Sequence, residues 1–101
     1  MQFEWDEKKR KANLRKHGFD FVHAPSVFAG FTLTVLDDRE DYGEDRYVTL
    51  GLLKNVVVVI VHTEQPEVIR VISMRKATRY EENTYFTQIG HELEENSGNG
   101  G

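Results

Sequence analysis

Arg46-Tyr47-Val48-Thr49-Leu50-Gly51-Leu52-Leu53-Lys54-Asn55-Val56-Val57-Val58-Val59-Ile60-Val61-His62 is the stretch that decides the fold. Its β-branched and aromatic residues favour a pleated, half-buried surface. Lys54-Asn55 interrupts two extended runs with a tight turn, so Arg46 to Leu53 and Val56 to His62 read as a hairpin. Val56 to Val61 is almost continuously apolar, as expected of a central strand buried on both faces. Outward from the hairpin, the period of two continues. Thr32 to Leu36 reads as a preceding strand and Val68 to Met74 as a following one, with acidic residues 37–45 and Gln65-Pro66-Glu67 as connections. Short connections in a row imply an antiparallel meander.

Helical signals flank the meander. Asp6 is placed to cap a helix through Ala12 and Leu14 to His17, and Gly18 supplies the left-handed end. Asp20 precedes a second short helix within residues 20–29, with Phe21, Ala24, Val27 and Phe28 as its inner face, although Pro25 delays its regular part. Thr78-x-x-Glu81 is a capping-box pattern opening a last helix through Tyr80, Tyr85 and Ile89. Residues 2–5 alternate like a short first strand. The expectation is an α+β domain: a small twisted antiparallel β-sheet with helices packed mainly on one face, in the order β-α-α-β-β-β-β-α. It occupies residues 1–89. Residues 90–101 are read as a disordered, acidic, glycine-rich tail.

A chain of 101 residues with 39% hydrophobic and 30% charged residues fits one soluble domain. It has no cysteine, which removes disulfides and thiolate metal sites. The first residues do not read as a signal peptide, and the longest apolar run is too short to span a bilayer. The expected location is cytoplasmic, with no membrane contact. The net charge of −4 argues weakly against nucleic-acid binding, but the charges are segregated. Lys8, Lys9, Arg10, Lys11, Arg15 and Lys16 crowd one segment, whereas Asp37, Asp38, Glu40, Asp41, Glu44 and Asp45 crowd another.

The strand over Val68 to Met74 and its exit carry Arg70, Arg75, Lys76 and Arg79. Arginine on a strand of a small domain is costly to bury unless paired, and its planar fork matches phosphate oxygens. Strict alternation would put Arg70 and Arg75 on opposite faces, unless the strand is bulged or ends before Arg75. Which of the two is structural therefore stays open. His62 is the only histidine of the sheet region, and imidazole titrates near neutrality.

Phe3-Glu4-Trp5-Asp6, Asn13-x-x-Lys16-His17-Gly18, Phe21-x-x-Ala24-x-x-Val27-Phe28, Asp37-Asp38-x-x-Asp41-Tyr42-Gly43-Glu44-x-Arg46 and Arg70-x-Ile72-Ser73-x-Arg75-Lys76-Ala77-Thr78-x-x-Glu81, with Tyr85, together resemble the BrnT toxins of type II toxin–antitoxin pairs. The resemblance covers roughly residues 2–88. It implies a RelE-like fold, ribonuclease activity and a cognate DNA-binding antitoxin that masks the toxin. Leu52, Met74 and Pro25 depart from the family's pattern. Many relatives have arginine after the glycine of the second meander strand, where this chain has Leu52, and its loss would remove one possible phosphate contact.

The chemistry expected is metal-independent RNA cleavage by the substrate's 2′-hydroxyl, without a cofactor. The catalytic candidates are Arg46, His62, Arg70 and Arg75: arginines to stabilise the phosphorane and histidine to move a proton. Lys8, Lys11, Arg15, Lys16, Lys76 and Arg79 are the RNA-binding candidates, and no metal ligands are expected. The partners expected are the antitoxin and an RNA substrate, with a homo-oligomer or a toxin–antitoxin heterotetramer as the assembly. The competing reading is a non-catalytic, toxin-like partner that binds an antitoxin and acts as a transcriptional corepressor.

Overall fold

A computed structural model of the chain describes residues 1–39, 41 and 43–99, with side chains through Gly90. The strands are β1 (Gln2–Glu4), β2 (Thr32–Asp37), β3 (Arg46–Leu53), β4 (Val56–Gln65) and β5 (Val68–Lys76). The helices are α1 (Glu7–His17), α2 (Ala24–Phe28) and α3 (Arg79–Asn99), and a 3₁₀ turn at Phe21–His23 leads into α2. Together they make an α+β domain around one five-stranded sheet of order β1-β5-β4-β3-β2.

The meander from β2 to β5 is antiparallel throughout. The sheet as a whole is not, because β1 pairs with β5 in parallel, Phe3 opposite Ile69. The expected all-antiparallel sheet is thus corrected to a mixed one. A parallel neighbour requires a long crossover, and here the whole chain between the two strands supplies it. Alternation in three residues marks an extended segment but carries no information about its partner's direction.

A second correction concerns the layers. Val58 and Ile60 of β4 pack with Phe21, Ala24 and Val27 on one face. Val57 and Val59 pack with Ala77 and Tyr85 on the other. Helices therefore cover both faces of the sheet: α1 and α2 one, α3 the other. The cause is visible in β4, which is apolar on both sides, so that each needs a cover worth about 1.5–3 kcal/mol per buried side chain.

Local signals set the ends. Asp6 accepts the Lys9 N–H at 3.1 Å, and Gly18 closes α1 at φ 78° with its N–H on the Leu14 carbonyl. Asp20 caps the 3₁₀ turn through the Val22 N–H. In the capping box before α3, the Thr78 N–H donates to Glu81 at 2.8 Å and the Glu81 N–H donates to Thr78 Oγ1 at 3.2 Å. α2 lies so close to β3 that a Cβ on Gly51 would stand 2.5 Å from Val27 Cγ1.

One polar contact locks α1 to the sheet. Asn13 is 7% exposed. Its side-chain amide donates to the Met74 carbonyl at 2.8 Å and to the Phe19 carbonyl at 3.0 Å, while its oxygen accepts the Met74 N–H at 3.1 Å. β1 reaches only as far as Arg70 along β5. Beyond it the side chain of Asn13 acts as the missing ladder partner.

The backbone of α3 is helical through Asn99. The disorder expected over 90–101 falls on side chains beyond Gly90 and on residues 100 and 101, outside the described residues. Among the described residues no helix is long and apolar enough to cross a membrane.

Candidate functional site

The β4–β5 register shifts where Val61 pairs with Ser73 but His62 pairs with Val71. Ile72 is the extra residue, so the bulge lies on β5. It explains why Ile69, Val71 and Met74 all enter the same core cluster despite the odd spacing between the last two. It also settles the direction of the arginines. Arg70 alternates with Ile69 and Val71, and Arg75 follows Met74, so both point to the opposite face. There Arg75 lies across from Val59 and Arg70 across from Thr63.

Arg46 joins them. It precedes Tyr47, which turns to the α1 side and stacks on His62 with ring centroids 6.0 Å apart. Alternation sends Arg46 to the α3 side. Since Tyr47 pairs with His62 and Arg70 with Thr63, Arg46, Thr63 and Arg70 form a row across the sheet. Arg75 lies across from Val59, four residues from Thr63 along β4, which is about 13 Å at the rise of a strand. Val48 and Val61 are half-buried between the row and Arg75. The result is one sheet face with an apolar floor and cations at both ends.

Each arginine has a carboxylate nearby. Arg70 Nη1 is 3.5 Å from Glu4 and Arg46 Nε is 3.9 Å from Glu44. Arg75 is held more firmly: Nη1 and Nη2 donate to the two Glu81 oxygens at 2.8 and 2.9 Å. The Arg75 guanidinium holds the Glu81 carboxyl down at about 2, against the usual 4.5. In return Glu81 raises the proton affinity of Arg75. Glu81 therefore serves both the helix cap and the arginine, which makes Arg75 the most fixed cation of the face.

His62 does not belong to this group. It points to the α1 side, is fully buried, and lies edge-on to Phe28 at 5.1 Å. Its Nε2 is 2.6 Å from Thr49 Oγ1, which in turn is 2.7 Å from Thr34 Oγ1. Burial drops its pKa to about 4. This neutral imidazole lies on the opposite face of the sheet from the three arginines. On an irregular β5, the face of a neighbouring strand's residue relative to Arg70 is not readable from the sequence.

The other candidates divide between surfaces. Lys8, Lys11, Arg15 and Lys16 are exposed on α1, on the layer opposite the arginine face. Lys76 and Arg79 are exposed near Arg75, at the end of β5 and the start of α3. Lys9, absent from the expected set, shares a polar cleft with Glu4, Thr63 and Arg70. Its only sequence signal was membership of the basic run. Of the two tyrosines of α3, Tyr85 is a core residue whose hydroxyl donates to the Phe31 carbonyl at 2.9 Å. Tyr80 is 80% exposed.

A family model described as "Ribonuclease toxin, BrnT, of type II toxin-antitoxin system" matches residues 5–81. That is well over half of the chain, and the chain belongs to this family. No curated protein matches it.

Proposed function

We propose that this member of the BrnT family cleaves RNA on the α3-side face of its sheet, by attack of the substrate's own 2′-hydroxyl and without a metal ion. The observation that carries the reading is the common direction of Arg46, Arg70 and Arg75, which the Ile72 bulge makes possible. An RNA backbone lying across the face meets guanidinium groups from two strands, Arg46 on β3 and Arg70 and Arg75 on β5. The 2′-oxygen loses its proton and bonds to phosphorus. The added negative charge spreads onto the phosphoryl oxygens, where the arginines stabilise it, and the 5′-oxygen departs with a proton. The products are a 2′,3′-cyclic phosphate and a 5′-hydroxyl. Preorganised donors of this kind are each worth about 3 kcal/mol in the transition state. With His62 on the other side, the proton acceptors beside the arginines are the carboxylates of Glu4 and Glu44, since both oxygens of Glu81 are engaged by Arg75. Tyr80 offers an exposed ring on which a base can stack. Arg79 extends the positive surface toward the RNA, while Lys76, across from Val58, lies on the other side of the sheet, where Lys8, Lys11, Arg15 and Lys16 of α1 provide a second basic surface. The domain is RelE-like in this reading, acts in the cytoplasm of a bacterium, and is held by a DNA-binding antitoxin in a heterotetramer.

The test is direct. Folded protein freed of antitoxin should degrade RNA in EDTA, and an Arg46→Ala, Arg70→Ala double variant with unchanged circular dichroism should be at least a hundredfold slower. RNA left intact by the folded wild-type chain would reject the enzyme.

A second reading is favoured by one observation: Arg75 is already held bidentately by Glu81. A domain whose cations are so occupied could serve as a non-catalytic corepressor. Expression decides between the two, since an active toxin halts bacterial growth unless its antitoxin is co-produced.

A further inference from the structure

β2 ends the sheet, so one side of its backbone has no strand neighbour. Sheet edges in soluble proteins are normally guarded by lysine, proline, a bulge or a covering segment. Thr32–Asp37 contains no lysine and no proline, and pairs with β3 in unbroken register. Its apolar side chains are instead presented to water: Val35 is 63% and Leu36 51% exposed. Beside this edge, on the α3 side, runs a groove of about 390 Å³ between β2, β3 and the first turns of α3. Leu33, Val35, Val48 and Leu50 floor it and Tyr80 walls it. At the end of β2 the groove gives way to a second concavity ringed by Asp38, Asp41, Glu44 and Asp45.

We infer that this edge and groove are the docking site of an extended, basic segment of the antitoxin, which adds a strand to β2, seats its apolar side chains in the groove and sets its cations against the acidic loop. The inference rests on membership of a toxin–antitoxin family, which supplies the partner, and the structure supplies the chemistry. Strand addition uses main-chain hydrogen bonds for affinity and alternate side chains for specificity. A second copy adding its own β2 is the poorer occupant, because Thr32–Asp37 carries no lysine or arginine to set against the acidic loop. The groove is also lined by Glu81, the carboxylate that holds Arg75. A segment lying there reaches the Arg75 end of the arginine face, so docking would obstruct RNA at that end.

Hydrogen–deuterium exchange on the full chain, with and without the antitoxin encoded beside it, tests this. The amides of residues 33–36 should gain protection on binding, those of α1 should not, and Val35→Lys should weaken binding at least tenfold while leaving the free chain's fold and its cleavage of RNA unchanged. Binding should also weaken as salt is raised. Protection on α1 with none on β2, or an unchanged affinity in Val35→Lys, would overturn the assignment. Protection of β2 in the chain alone that grows with its concentration would overturn it in favour of self-pairing. A chain that cleaves no RNA but gains protection at β2 would sink the nuclease reading and leave this one standing.

Discussion

Acidification below pH 6.5 should loosen this fold, and His62 should be the reason. Its imidazole is fully buried against Phe28, Tyr47 and Thr49. In the unfolded chain it takes a proton near 6.5, but in the folded protein only near 4. Between those values the unfolded state binds more protons, so stability is fully present above pH 6.5 and is lost as pH falls toward 4. A tenfold difference in proton affinity corresponds to about 1.4 kcal/mol, which gives about 3 kcal/mol for the whole window, most of it spent before pH 4.5. That is a large share of the margin by which a domain of this size is folded. The assay is urea unfolding at a series of pH values, read by the fluorescence of Trp5, the chain's one tryptophan, which packs at 6.3 Å on Phe21. Wild-type midpoints should fall steadily from pH 7 to 4.5. His62→Gln should start lower, from lost packing, and show a much flatter profile over the same range. Equal slopes for the two proteins would refute the reasoning, because the proton would then be going elsewhere.

Further expectations follow from particular contacts. Asn13→Ala should cost about 3 kcal/mol, since it strands the buried N–H and C=O of Met74; urea unfolding measures it, and Asn13→Asp should restore little, having lost the donor. Gly51→Ala should destabilise by about 1–3 kcal/mol through the collision with Val27, read as a lower Tm. The Arg75–Glu81 pair contributes stability above pH 4.5 that fades as pH falls toward 2. Because Arg75 is partly exposed, screening holds that contribution to about 1 kcal/mol, and Glu81→Gln should remove it from the acid limb of the unfolding curve. In ribonuclease assays Arg75→Ala should slow cleavage at least tenfold with little change in fold, whereas His62→Gln at pH 7.5 should retain cleavage if compared at temperatures where both proteins are folded.

Much of this protein was legible along the chain, because the relevant forces are local. Asp6 and Gly18 bound α1 by satisfying the orphan groups at its two ends. Thr78 and Glu81 open α3 by the same logic. The unbroken apolar run of β4 announced a strand buried on both faces. Tertiary structure decided what locality cannot carry. The parallel pairing of β1 depends on which edge of β5 is vacant. The placement of α3 depends on which face the other helices leave bare. The single extra residue at Ile72, invisible in a run of β-branched and apolar side chains, rotates Met74 into the core and turns Arg75 to the face of Arg70. It is register, a relation between strands rather than a property of one, that assembles three arginines and leaves His62 on the other side of the sheet.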